Sequence, residues 1–230
     1  ILKSYKDKRI RLFKNDVNIG LGKSRLKATK VLKGSLISII DSDDFFHPEK
    51  IEKQVKVFKT NPNISICATW SKILDENYEK LYFFDSQNES RLLKKKLKFV
   101  NVIPHSSTMY KKQLAIDVGW YSKEFEYSQD YDLTLKLMDK GEIFLIKDYL
   151  TTIISGKNNM SNSNKLRELV VKESITILRE NISKSDHSLE EKKIFKYLED
   201  LYQIKLNLIN IKKNFLKNFL NISSILLSNP

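Results

Sequence analysis

Three carboxylates crowd the stretch 41–44: Asp41, Asp43 and Asp44, set in Ile-Ser-Ile-Ile-Asp-Ser-Asp-Asp-Phe-Phe-His-Pro-Glu-Lys (residues 37–50). Acids this close repel one another unless water or a cation separates them, and hard oxygen ligands suit Mg²⁺ or Mn²⁺. A cation held there would grip a phosphate-bearing substrate. Two simpler roles compete. Asp41 or Asp44 could cap the helix that follows. An EF-hand loop fails, because Phe45 stands where a ligand is needed and Phe46 where glycine must turn the chain. A second acidic pair, Asp130 and Asp132, opens a helical pattern at Tyr127-Ser-Gln-Asp-Tyr-Asp. Residues two apart do not share a helix face, so at most one of them can enter a pocket with Asp43. Capping and dipole complementarity are the simpler explanation there.

Two further segments hold reactive residue types. Gly20-Leu-Gly-Lys-Ser24 precedes Arg25. It is no phosphate-binding Walker loop, since Val17 stands where the first glycine belongs, and no dinucleotide fingerprint, since Arg25 stands at the last one. It can still turn a loop into a helix beside a ligand, with Arg25 meeting an anion or a base; a solvated arginine is the plainer alternative. His105 and Ser106 lie in Ile103-Pro-His-Ser-Ser107. No Gly-x-Ser-x-Gly turn accompanies them, which argues against a serine hydrolase, and a lone histidine is as readily structural.

The elements that must position these residues can be read from periodicity. Ile10–Phe13 reads as a strand, Asn18–Leu32 as a helix stopped by Gly34, and Leu36–Ile40 as a buried strand feeding Asp41. Pro48 fits the first turn of a helix to Phe58, with Ile51, Val55 and Phe58 on one face. Ile64–Leu74 and Leu81–Phe84 read as strands, Arg91–Phe99, Lys112–Val118 and Asp130–Lys140 as helices, and Ile143–Ile146 as a last strand. Strands alternating with helices argue for an α/β layered fold. After Gly156 the composition shifts. Residues 157–164 are polar, and from Lys165 the pattern is helical, with Ile194, Leu198, Leu201, Ile204, Leu208, Ile211, Phe215 and Phe219 recurring at spacings of three and four. The expected division is residues 1–156 as an α/β domain and 157–230 as a helical extension.

Composition narrows the classes. The 230 residues are 41% hydrophobic and 30% charged, enough for one sizeable core in a soluble chain. A single cysteine, Cys67, excludes an internal disulfide framework and fits a reducing cytoplasm; inside the apolar run Ile64–Trp70 it reads as a small buried hydrophobe. No apolar segment approaches the ~20 residues that span a bilayer, and no signal-peptide pattern is present. The net charge of +13 favours anionic partners. Its scattered lysines lack the Arg-rich stripe of a nucleic-acid reader, so no nucleic acid is expected.

The order of the pieces is more telling than any one of them. Asn18-Ile-Gly20 with Arg25 comes first, then Lys33-Gly34 through Asp41-Ser-Asp43-Asp44 to Pro48-Glu-Lys and Gln54. Pro104-His105-Ser106-Ser107-Thr-Met109, Val118-Gly119-Trp-Tyr and Gln129-Asp130-Tyr131-Asp132-Leu133 follow. Over roughly residues 1–155 this resembles the nucleotide-sugar-dependent family-2 glycosyltransferases of the GT-A fold. The resemblance implies a mostly parallel α/β sheet flanked by helices, followed here by the helical extension. It implies transfer of a sugar from a nucleotide-diphosphate sugar to an acceptor hydroxyl, inverting and metal-dependent, in surface polysaccharide or glycoconjugate synthesis.

By the same resemblance, Asp41 is the ribose-side acid and Asp43 the metal ligand, both close to Mg²⁺ or Mn²⁺, with Asp44 in support. Arg25 lies near base and diphosphate, Asp130 is the general base, and His105 and Ser106 are on the acceptor side. Gln129 replaces the first acid of the family's Glu-Asp pair, which removes a neighbouring charge from Asp130. The family opens with an apolar strand bearing a Pro-x-Tyr-Asn type segment and a second strand ending in Asp-Asp-x-Ser. Neither stands before Ile1, so the resemblance implies a catalytic domain truncated at its N-terminus, expected to be inactive or poorly folded by itself. The expected partners are the sugar nucleotide, a saccharide or lipid-linked acceptor and, through lysine-rich apolar helices, an anionic membrane surface. The expected location is cytoplasmic, peripheral to the inner face of the plasma membrane. The rival readings are a catalytically inactive scaffold of the same fold and a basic nucleic-acid-binding module.

Overall fold

A computed structural model describes residues 4–86, 89–156, 166–183 and 187–228, with side chains to residue 212. The sheet is built around β3 (Ile64–Leu74), whose residues are buried at nearly every position, as a strand covered on both faces must be. β3 runs parallel to β6 (Glu142–Ile154) along its whole length. On its other side it pairs antiparallel with β5 (Met109–Lys111) near its start and with β4 (Lys80–Phe84) near its end. β1 (Leu36–Ser38) extends the sheet beyond β5, and β2 (Phe45–Phe46) pairs antiparallel with the far edge of β6. The path is β1-β5-β3-β6-β2 with β4 on β3.

The α/β architecture is as the sequence implies, with a mixed sheet. β1, β3 and β6 run one way and the three short strands run against them, so parallel character is confined to the long strands. Of these, β4 arrives by a tight return, the turn at Asp75–Glu79 after β3, which can only make an antiparallel pair; β2 and β5 reach their partners from distant parts of the chain.

Helices α1 (Leu21–Thr29), α2 (Lys50–Thr60), α3 (Ser90–Leu97), α4 (Lys112–Asp117) and α5 (Gln129–Met138) surround the sheet. α5 buries residues on all sides, including Tyr131, Leu133, Leu135 and Leu137, the mark of a helix inside the core. Gly141 lets α5 return closely onto the start of β3. A Cβ there would lie 2.4 Å from the Asn63 carbonyl oxygen, and the Glu142 N–H donates to that same oxygen at 2.9 Å.

Two expectations fail locally. Ile10–Phe13 forms no strand; Ile10, Leu12 and Phe13 are exposed and no strand pairs with them among the described residues. In α2, Ile51 faces solvent while Lys50, Gln54 and Phe58 are buried. The inward face is thus polar at two of its three positions, against the apolar pattern, because those groups serve a hydrogen-bond network beneath the site. Cys67 is buried and free, and burial pushes its thiol up to about 12.

Helices α6 (Arg167–Ser183) and α7 (Leu189–Ser228) follow. Val171 and Ile175 of α6 pack against Tyr202, Leu206 and Ile209 of α7, and Ile177 reaches the main core. Among the described residues no helix is long and apolar enough to cross a membrane.

Candidate functional site

β1, β3 and β6 point their carboxyl ends at one cleft of about 1360 Å³. Open α/β sheets bind ligands at that end. Asp41, Asp43, Asp44, Arg25, His105, Ser106 and Asp130 all line it. They come from the loop after β1, from α1, from a 3-10 turn at His105–Ser107 and from the first turn of α5. Two smaller cavities, of about 540 and 430 Å³, lie at the opposite end of β3 and β6, around Asn63 and Glu142, and contain none of these residues.

The acidic loop is held from three sides. The Asp44 N–H donates to the Asp41 carbonyl at 3.1 Å, closing a turn across Ser42 and Asp43. The Asp41 N–H donates to Ser106 Oγ at 3.1 Å, and Ser106 is itself buried. Asp44 Oδ1 accepts from the Ile154 N–H at 3.2 Å. Burial pushes Asp44 up to about 6, against the pull of its hydrogen bonds to Ser106 and Ile154. Asp44 is therefore turned toward the end of β6. Among the described residues no group of three His, Cys, Asp or Glu side chains converges as a ready metal cage. The three-acid cluster suggested by the sequence resolves into Asp41 and Asp43 toward the cleft and Asp44 in a structural bond.

Arg25 Nη2 donates to Asp41 Oδ1 at 2.7 Å from a largely buried position, with its guanidinium 5.8 Å from the Tyr121 ring centroid. The helix that delivers it approaches α5 closely: a Cβ on Gly22 would lie 3.0 Å from Gln129 Oε1. Gly22 thus permits this close packing, while Gly20, at φ 81°, turns the chain into α1.

Asp130 accepts from Asn101 Nδ2 at 3.3 Å. Burial raises its carboxyl above the ordinary range, while Arg25 and the backbone N–H groups of the helix start oppose the rise. Asp132, as the spacing requires, lies elsewhere and pairs with Lys136 at 2.6 Å. Gln129 is fully buried; its Nε2 donates to the Glu126 carbonyl at 2.7 Å and its Oε1 has no partner. It does not line the cleft, so a charge at this position would not face it. His105 meets the Tyr121 hydroxyl at 3.3 Å, and Tyr121 meets the Tyr110 hydroxyl at 3.1 Å. Burial, then the Arg25 charge, hold His105 down at about 3, so it is a neutral imidazole.

Two supports escaped the sequence reading. Beneath the site, Lys50 Nζ donates to Ser38 Oγ at 3.1 Å and to Gln54 Oε1 at 3.0 Å, 3.8 Å from the Phe46 ring centroid. Gln54 Nε2 donates in turn to the carbonyls of Cys67 (2.8 Å) and Ser107 (2.9 Å), tying β3 to the 3-10 turn. Desolvation pushes Lys50 down to about 7. The four-residue spacing of Lys50 and Gln54 was the available signal. The second support is Glu173 of α6. Its carboxylate accepts from three consecutive N–H groups, of Glu126 (2.7 Å), Tyr127 (3.0 Å) and Ser128 (2.7 Å), immediately before α5 and Asp130.

The family model described as glycosyl transferase family 2 matches residues 1–119. The chain belongs to this family. Among curated relatives, this glycosyl transferase family 2 chain is 33% identical over 154 residues to an uncharacterized glycosyltransferase of Methanocaldococcus jannaschii, covering 65% of this chain and 53% of that protein. It is 24% identical to the amylovoran biosynthesis glycosyltransferase AmsE of Erwinia amylovora, covering 61% and 53%. The chain thus spans about half the length of these relatives. Among solved structures, it is similar to the mannosyltransferase PcManGT from Pyrobaculum calidifontis, in complex with GDP-Man and Mn²⁺ (TM-score 0.56, 12% identity, covering 87% of this chain and 55% of that one). It is also similar to TarS of S. aureus (TM-score 0.51, 14% identity, covering 77% and 49%). At these identities the likeness concerns the fold, which is of the GT-A type.

Proposed function

We propose that the cleft binds a nucleotide-diphosphate sugar and passes the sugar, with inversion, to an acceptor hydroxyl in polysaccharide or glycoconjugate synthesis. The observation that carries this reading is convergence: Arg25, Asp41, Asp43 and Asp130, supplied by separate elements, meet in one cleft at the carboxyl end of the sheet. Asp130 accepts the proton of the attacking hydroxyl. A half-buried carboxylate of raised basicity suits that task, and Asn101 orients it. Arg25 fixes Asp41 on the donor side. Ser106 holds the acidic loop through its backbone and is a positioning residue, while His105 lines the acceptor side as a neutral ring whose Nε2 is engaged by the Tyr121 hydroxyl. Ile73, Tyr82, Phe84 and Ile153 form an apolar wall of the cleft suited to the C–H faces of a saccharide.

The donor set fits a divalent cation. Mg²⁺-type sites combine one or two carboxylates with substrate phosphates and seldom form a full protein cage. Asp43, with Asp41 half-engaged by Arg25, is such a set. Bound there, Mg²⁺ or Mn²⁺ would neutralise the charge gathering on the departing nucleoside diphosphate.

The test is calorimetric titration with a panel of nucleotide-diphosphate sugars, in Mn²⁺ and in EDTA, together with turnover assays. The expected result is Mn²⁺-dependent donor binding that weakens in Asp43→Asn. Asp130→Asn should bind donor normally and lose roughly 10²–10⁴ in rate. Oligonucleotide binding without donor binding, or full turnover by Asp130→Asn, would overturn the reading.

A further inference from the structure

Among its described side chains α7 carries two apolar faces, one packed and one exposed. Phe195, Tyr202, Leu206 and Ile209 pack inward. On the opposite side, Tyr197, Leu201, Ile204, Leu208 and Ile211 are 43–64% exposed. With Ile194 they fall at alternating spacings of three and four. This is a heptad seam, with Ile194, Leu201 and Leu208 at a and Tyr197, Ile204 and Ile211 at d. Such a seam is narrower than the broad apolar face with which a helix lies in a membrane interface. α7 has 40 residues, about 60 Å of helix, well beyond the usual globular length.

The flanking charges choose an orientation. Asp200 sits at g and Lys205 at e of the next heptad. In a parallel assembly each g residue faces the e residue five positions on in the neighbouring chain, which sets Asp200 against Lys205. In an antiparallel pair e meets e, which would oppose Lys205 and Lys212. The helix is already formed by its contact with α6, so association need not also order it.

We propose that copies of this chain associate in parallel through the Ile194–Ile211 seam of α7. Leu at a with Ile at d favours assemblies of more than two chains.

Sedimentation equilibrium on the chain tests this. The expected mass is a whole multiple, two or more, of the 27.0 kDa monomer. Leu201→Asp combined with Ile204→Asp should give a monomer with unchanged helical circular dichroism. Asp200→Lys should weaken association about three- to tenfold, and adding Lys205→Asp to it should restore the wild-type constant. If the double aspartate variant does not fold, the charge-swap series alone decides. A wild-type monomer at all concentrations, a charge swap without restoration, or a monomer that binds anionic vesicles through this face would each overturn the proposal.

Discussion

At the scale of single residues, Arg25 sets the electrostatics of the cleft. Its charge pairs with Asp41, lowers Asp130 against the rise caused by burial, and helps keep His105 neutral. In the proposed reaction Asp130 is the base, and a base must be ionised to work. Since the Asp130 carboxyl lies above the usual range, kcat should fall on the acid side along a limb that begins at a higher pH than an ordinary carboxylate gives. Arg25→Gln removes the opposing charge and should move that limb to still higher pH; a pH–rate profile reads the shift directly. His105 gives a separate sign. Its folded value is depressed from 6.5 to about 3, so its contribution to stability is present above 6.5 and is lost as pH falls through that window. The slope approaches about 1.4 kcal/mol per pH unit, and His105→Gln should flatten it in urea titrations. Gln129 is the third case. It is fully buried and its Oε1 has no partner among the described residues, so Gln129→Glu should destabilise the fold by about 3 kcal/mol or more at neutral pH. That the candidate residues would share one cleft was legible at this scale, because Asp43 and Asp130 stand at element ends. The bond of Asp44 to the backbone of β6 was not, because its partner Ile154 lies far along the chain.

Elements that bury both faces announce themselves; elements that borrow their stability do not. β3 reads as an apolar run and forms over the residues expected. β5 is three residues in a mixed polar stretch and β2 is two, too short for any period to show. They exist because long strands offer them an edge. Glu173 was invisible for another reason: a glutamate on a helix reads as a solvated charge. In the fold it is buried and binds the three N–H groups before α5, so α6 fixes the entry of the helix that carries Asp130. Glu173→Gln keeps the size, loses the charge and turns an amide toward donors. It should cost about 2–3 kcal/mol in denaturant unfolding. It should also lower kcat more than it raises KM, because Asp130 is displaced while the acidic loop after β1, the proposed donor side, is untouched.

For the whole molecule the question is whether the helices after residue 165 stand apart from the sheet or fold with it. Contacts cross the division at several points. Ile177 lies in the main core, Asn181 donates to the Lys98 carbonyl, and Lys98 pairs with Glu191 at 3.2 Å. Phe195 of α7 is fully buried, its ring centroid 4.6 Å from that of Phe99 just after α3. Buried apolar contacts of this kind couple neighbouring elements into one cooperative unit. The sequence supplies a convenient division of signals. Both tryptophans, Trp70 and Trp120, belong to the sheet region, whereas α6 and α7 hold much of the helix. Tryptophan fluorescence and far-UV circular dichroism should therefore trace one coincident main transition. Phe195→Ala should shift both midpoints together by about 3–5 kcal/mol, the usual cost of emptying a buried aromatic site. If instead the dichroism moves and the fluorescence stays, α6 and α7 fold as a separate unit, and Glu173 positions α5 only as a docked helix.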